Sequence, residues 1–240
     1  MTLKVLLDVM SQPSRAVLIF CRAATVPHEF KPVLVKKLEN KTDEFLKVNP
    51  LGTVPAMDDG GVAIKDSSAI LKYICRTRDL PDHWFPKDPL GEARVDEFLH
   101  WQHLNVRAGC ALYFVKRWLL PITTQKPPNE AAVAKQLEVM TKALNTVENV
   151  WLEKGKNKYI TGSDKISVAD IMACCEFEQP SVAGYDVKEG RPVLSEYMER
   201  VKEELNPHYD DVHAVVYQMT KKFGGDIPGI YEPRKEKYGS

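Results

Sequence analysis

LLDVMSQPSRAV, residues 6–17, is where an apolar run of strand type gives way to a helix-like run. Pro13 suits the first helical position, because its ring presets φ and its missing N–H would have no partner there anyway. That register makes Gln12 the capping residue, puts Ser14 inside the first turn and leaves Ser11 outside the cap. The Ser11 hydroxyl then projects from a strand-to-helix turn on which the backbone N–H groups of the helix start converge, a place that favours negative charge. On this stretch alone an ordinary turn serine reads equally well.

The segments around it follow one order. LKVLLD (3–8) reads as a buried strand and PSRAVLIFCRAAT (13–25) as an amphipathic helix. HEFKPVLV (28–35) alternates Phe30, Pro32 and Leu34 on one face, and Pro32 marks an edge strand. DEFLKV suits a short helix, and VPAMDDGGVAIK suits a hairpin turning at Asp58-Asp59-Gly60-Gly61. DSSAILKYICRTR (66–78) has the polar start and basic end of a helix. A β-α-β then β-β-α order gives a small α/β domain with one mixed sheet. DLPDHWFPKDPLG (79–91), with three prolines and a closing glycine, is the expected linker.

Everything beyond it reads as helix. EARVDEFLHWQHLNVRAGCALYFVKRWLL (92–120) is a long proline-free run that Pro121 is expected to end. Val133, Leu137, Met140, Leu144, Val147 and Trp151 form one apolar stripe at alternating spacings of four and three. Further helices fit 167–179, 192–205 and 208–223, and GGDIPGIYEPRKEKYGS (224–240) reads as a loose tail. Ser167-Val168-Ala169-Asp170 has the form of a capping box with Ile166 as its hydrophobic staple, a folding element rather than a site. Glu97-Phe98-Leu99-His100 has the spacing of a carboxylate-bridged metal motif, but the second copy such a site needs is missing from the sequence, so no metal is expected.

Composition narrows the function classes. Lys plus Arg equals Asp plus Glu at 33 each in 240 residues, which gives no electrostatic case for nucleic acid or an anionic membrane. No apolar run approaches the ~20 residues of a membrane span, and the N-terminal stretch lacks the form of a secretory signal. Five cysteines without a CxxC pair fit a reducing, cytoplasmic setting.

Four markers in this order, SQPSRAV, NPLGTVPAMDDG, DSSAILKY and SVAD, resemble the glutathione S-transferase family, most nearly its theta class. The resemblance runs from about residue 3 to residue 205 and includes the linker. It implies a thioredoxin-like N-terminal domain, a mixed four-stranded sheet with helices, over residues 1–78, a linker over 79–91 and an all-helical domain over 92–240. SQPS then stands where thioredoxin relatives carry CxxC, so the anion-friendly turn is kept and the redox couple is lost.

The same resemblance implies the chemistry: transfer of the glutathione thiolate to small hydrophobic electrophiles, with glutathione as co-substrate. Ser11 would hold the thiolate, and Arg107 would reach from the long helix toward the sulfur and the electrophile; an interhelical ion pair is the ordinary fate of such an arginine. Val54-Pro55, cis in the family, would present the Val54 backbone to glutathione as an added strand. Asp66 and Ser67 would take the γ-glutamyl end at a helix start, and Asn40 and Lys41 the glycine carboxylate, with Gln12 and Thr53 alongside. Met10, Val35, Phe114 and Trp118 would line the electrophile pocket, although periodicity alone makes them core. The family has Glu more often than Asp at position 66 and His at position 40, and its closing C-terminal helix has only Ile227, Ile230 and Tyr231 to offer here. A homodimer is implied. The alternative is a non-catalytic relative that sequesters ligands or serves as a scaffold.

Overall fold

The computed structural model describes residues 2–227. Strand β1 (Leu3–Leu7) buries Leu3, Val5 and Leu7 and lies inside a four-stranded sheet of order β2-β1-β3-β4. β2 (His28–Pro32) runs parallel to it with Leu3 opposite His28, while β3 (Ala56–Asp59) runs antiparallel with Val5 opposite Met57. β4 (Val62–Lys65) completes the sheet as a hairpin with β3. β2 is an edge strand, where Pro32 is tolerated because one row of its backbone groups is unpaired. The β3–β4 turn takes Gly60 and Gly61 at φ +64° and +96°, and Asp58 Oδ1 accepts from Gly61 N at 2.7 Å. Helices α1 (Gln12–Ala23), α2 (Asp43–Val48) and α3 (Ser67–Thr77) accompany the sheet. This is the thioredoxin-like arrangement.

The proline-rich segment 79–91 overlaps the next helix at its end. Helix α4 starts at Pro89, with the Asp88 side chain capping Gly91 N at 2.9 Å, and runs to Gln102. The long helix then continues through a π turn at His103–Arg107, α5 (Ala108–Phe114), a second π turn at Val115–Leu119 and α6 (Leu120–Thr124). Pro121 therefore does not end it. A π turn shifts hydrogen bonding by one residue, so the missing proline N–H falls where the regular ladder is already interrupted.

Helix α7 (Glu130–Thr146) and the π turn Val147–Trp151 present the expected stripe, with Val133, Met140, Leu144 and Val147 buried. Helices α8 (Val168–Glu178), α9 (Pro192–Leu205) and α10 (His208–Phe223) agree with the sequence reading to within a residue. The tail expectation for residues 228–240, Ile230 and Tyr231 included, lies outside the described residues, while Ile227 is buried. No helix among the described residues is long and apolar enough to cross a membrane.

Helix α1 is the joint. It packs on the sheet side against β1 and α3 and on the other side against α8 and α10. Its Arg15 has no exposed surface. Nη1 donates to the carbonyls of Val9 at 3.0 Å and Met10 at 3.2 Å, and Nη2 donates to the Cys175 carbonyl at 3.0 Å and Gln179 Oε1 at 2.8 Å. One guanidinium thus ties the turn before Ser11 to the helical half.

The capping box at α8 is fully formed, with Asp170 buried. Its carboxylate accepts from Ser167 N, Ser167 Oγ, Ile160 N and Tyr197 OH, each at 2.9 Å. Asp170→Ala would strand four buried donors. Urea unfolding should show a loss of about 3 kcal/mol or more, against about 1 kcal/mol for Ser167→Ala.

His213 gives a pH signature. It is fully buried, and its Nδ1 lies 2.9 Å from the Tyr209 carbonyl, so Nδ1 carries the proton of the neutral ring. Burial first, then the Arg15 cation, hold its pKa well below the imidazole range. The unfolded chain takes up the proton at about pH 6.5 and the folded one does not. Stability therefore falls as pH drops below that value, by up to about 1.4 kcal/mol per pH unit. Buried Asp170 and Glu178, pushed up by desolvation, act with the opposite sign. Comparing the unfolding free energies of the parent and His213→Asn between pH 7.5 and 5.5 isolates the histidine, and the variant should lack its part of the decline.

Candidate active site

Ser11 is itself the N-cap of α1, at φ −85° and ψ 124°, with Pro13 in the second helical position. The helix begins one residue earlier than the proline suggested because Ser11 O already accepts from Arg15 N at 3.0 Å. Its side chain nevertheless makes no capping hydrogen bond. The hydroxyl is half-buried and stands at the positive end of a twelve-residue helix. Gln12 beside it is buried, and its Nε2 has no partner among the described residues.

The turn that carries Ser11 is held from two sides. Arg15 clamps the Val9 and Met10 carbonyls from behind. Asp8 spreads its carboxylate between Met10 N and Val35 N, both at 2.9 Å. Sequence reading missed both residues. For Asp8 the available signal was an acidic residue ending a buried strand.

A second wall comes from residues 49–55. Asn49 is fully buried, and its Nδ2 donates to Thr53 O at 2.7 Å and Thr53 Oγ1 at 3.2 Å. Asn40 Nδ2 and Lys41 Nζ both donate to Gly52 O, at 2.8 Å and 2.9 Å. Gly52 sits at φ +62°, where a Cβ would stand 2.6 Å from Lys41 Nζ. Val54-Pro55 is cis. Asn40 and Lys41 are therefore engaged with the loop that leads into the exposed Thr53 and the half-buried Val54.

The third wall is the start of α3. Asp66 is its N-cap at φ +75°, and its carboxylate accepts from Ser68 N at 2.9 Å while remaining exposed. Ser67 is turned inward and only 1% exposed. Its Oγ accepts from Arg107 Nη2 at 3.4 Å and donates to Met172 Sδ at 4.0 Å.

Arg107, the last residue of the first π turn, has its own anchors. Nε donates to Glu176 Oε1 at 2.6 Å, Nη1 to His103 Nδ1 at 3.1 Å and Nη2 to Met172 Sδ at 3.0 Å. It thus forms the interhelical ion pair that an ordinary helix arginine makes, and also reaches the α3 start. A guanidinium can only donate, so His103 accepts through Nδ1. Burial and the Arg107 charge lower the His103 pKa and favour that neutral form.

Phe114 and Trp118 are buried and stacked, with ring centroids 5.5 Å apart, and Phe223 at the end of α10 lies 5.4 Å from Trp118. Met10 packs partly against the same core, while Val35 is outside it and 36% exposed. Phe223 escaped the sequence reading, although it ends an amphipathic helix. A separate cavity of about 540 Å³ among Phe177, Glu178, Tyr185, Met198 and Tyr217 is lined by none of the sequence-derived site residues.

Thiol chemistry is disfavoured. All five cysteines are buried, and burial pushes Cys21, Cys75 and Cys175 up to about 12. In the ExxH segment, Glu97 pairs with Arg94 at 3.1 Å and His100 Nδ1 lies 2.6 Å from the Asp96 carbonyl.

Residues 11–77 match the family model described as "Glutathione S-transferase, N-terminal domain" and residues 113–204 the one described as "Glutathione S-transferase, C-terminal domain". Mouse (Mus musculus) glutathione S-transferase theta-3 is 36% identical over 239 residues, 99% of this chain and 96% of that one. The apo structure of human glutathione-S-transferase T1-1 superposes with a TM-score of 0.86 at 34% identity, covering 95% of this chain and 94% of that one. Human glutathione transferase theta-2, solved in complex with glutathione and an unknown ligand, superposes at 0.85 with 33% identity, covering 92% and 89%. Matches that span both halves of the molecule, read with a helix-capping serine where thioredoxin relatives keep a thiol, place this chain in the glutathione S-transferase family, beside its theta-class members.

Proposed function

We propose that this protein is a glutathione transferase that joins the glutathione thiolate to small hydrophobic electrophiles, with Ser11 donating a hydrogen bond to the sulfur. The observation that carries this reading is Ser11: a serine at the N-cap position, in a turn that Asp8 and Arg15 hold, whose hydroxyl makes no capping hydrogen bond. A thiol of the cysteine type ionises near 8.5. A hydrogen bond to a charged group is worth about 1.5–3 kcal/mol, which corresponds to a fall of about one to two in the thiol pKa. The positive helix end adds to the same effect.

Residues 1–78 would bind glutathione, 79–91 connect and 92–240 supply the electrophile pocket. Glutathione would lie along Val54 by backbone pairing, with Thr53 and the cis Pro55 setting the edge. Its ammonium would meet exposed Asp66, and its γ-glutamyl carboxylate the N-terminus of α3 at Ser67. Lys41 would supply charge for the glycine carboxylate, with Asn40 beside it on the same loop and Gln12 contributing a hydrogen bond at the Ser11 turn. Phe114, Trp118 and Met10 would offer the electrophile an apolar wall, with exposed Val35 added from the segment that Asp8 holds. The glutathione-bound theta-2 relative supports the co-substrate.

Exposed Val62, Leu90 and Leu104, the last 83% exposed, supply apolar surface on β4 and the long helix for a homodimer. A cytoplasmic setting suits five buried, unpaired thiols.

Ser11→Ala should lower kcat/KM for glutathione conjugation about ten- to a hundredfold, a loss of about 1.4–2.7 kcal/mol in the transition state, with an unchanged far-ultraviolet spectrum. In the parent, ultraviolet absorbance of enzyme-bound glutathione should report a thiol pKa below that of free glutathione, and the variant should lose the shift. Unaltered turnover and thiol pKa in Ser11→Ala would remove the assigned role.

A further inference from the structure

Glu176 lies on α8 in the helical half, with no surface exposed, and no step described so far uses it. Its Oε1 accepts from Arg107 Nε at 2.6 Å, while Oε2 is buried without a partner among the described residues. Such an arrangement is poor design for stability. Taking a carboxylate out of water costs several kcal/mol, which an ion pair offsets only when the other lone pairs are also satisfied, and an apolar residue of similar volume often does as well or better. The placement has a different result. With Nε held by Glu176 and Nη1 by His103 Nδ1, the planar guanidinium has one orientation left, and its third nitrogen, Nη2, faces Ser67 Oγ at 3.4 Å. Met172 Sδ, four residues before Glu176 on the same helix, receives Nη2 at 3.0 Å and Ser67 Oγ at 4.0 Å. A helix of the second half thereby fixes the first residue of α3, in the first half.

We propose that Glu176 is a positioning residue for glutathione binding, which aims Arg107 so that Nη2 holds the Ser67 hydroxyl and with it the helix start that receives the γ-glutamyl carboxylate. This rests on the glutathione-transferase reading and names the residue in the helical half that sets one end of that site. The path is Glu176 to Arg107 to Ser67, so the effect of Glu176 on glutathione affinity must pass through the serine hydroxyl.

The test is a double-mutant cycle on the full-length protein, with the glutathione dissociation constant read by calorimetry and the thermal midpoint recorded alongside. Glu176→Gln keeps an acceptor for Arg107 but loses the charge, and should weaken glutathione binding about three- to tenfold, the range of one hydrogen bond. In the Ser67→Ala background the same change should weaken it less than twofold. Independent, additive effects of the two substitutions, or unaltered affinity in a folded Glu176→Gln, would overturn the proposal. Should Glu176→Gln fail to fold, Arg107→Lys keeps the positive charge and removes Nη2; it must show the same weakening and the same dependence on Ser67, and additivity there overturns the proposal equally. A parent protein that does not bind glutathione at millimolar concentration defeats the transferase reading itself, whereas binding with an additive cycle defeats only the role of Glu176.

Discussion

The architecture depends on a cation placed where there is no water. Arg15 joins two carbonyls of the turn before Ser11 to a carbonyl and an amide of the helical half. Burial lowers its pKa, and the surrounding negative groups, Glu176 and Glu178 among them, act against that. Four hydrogen bonds from its two terminal nitrogens make the burial tolerable, although Nε has no partner among the described residues. The geometry of the serine turn is therefore a property of the interface between the two halves as much as of the sheet that ends there.

Helix α8 is the element on which these constraints converge. Its start is fixed by the Asp170 capping box, and farther along it offers Met172 and Glu176 to Arg107 and the Cys175 carbonyl to Arg15. Farther on, Glu178 is pushed up by burial and accepts from Tyr209 OH at 2.8 Å. Buried polar groups in a low-dielectric interior are costly when misaligned and specific when satisfied. Concentrating them on one helix lets two arginines from different elements be oriented by a single rigid backbone.

Local pattern made most of the fold legible. A short apolar run identified β1, alternation β2, turn glycines the β3–β4 hairpin, and helical spacing α7. Two errors share a cause. Pro13 and Pro121 were read by the rules of an isolated α-helix, but an N-cap is decided by which carbonyl the next turn uses, and a π turn changes what a proline costs. Neither fact is encoded in residue type alone. Within the site, local pattern marked Ser11 as a turn serine, Val54-Pro55 as a strand start and Asp66 as a helix cap, and their roles toward glutathione came from the family resemblance. Asp8, Arg15 and Glu176 gave no such signal, because each bonds to a partner distant in the chain; Arg15 and Cys175 are 160 positions apart. Asn49 bonds to Thr53 only four positions on, but residue type alone does not show that bond. Arg107 was expected from resemblance, and its commitment to a buried carboxylate needed coordinates.

The two π turns carry a consequence of another kind. Each holds one residue more than the α turn it replaces, and each rotates the downstream part of the helix by about 100° around the axis. The first ends on Arg107 itself, and the second lies between Phe114 and Pro121 and contains Trp118. Gaining or losing a single codon in the second turn would therefore swing the part of the helix beyond Phe114 relative to the guanidinium. Substrate preference in such a scaffold can diverge through indels in the middle of its longest helix, a region where length changes are ordinarily purged.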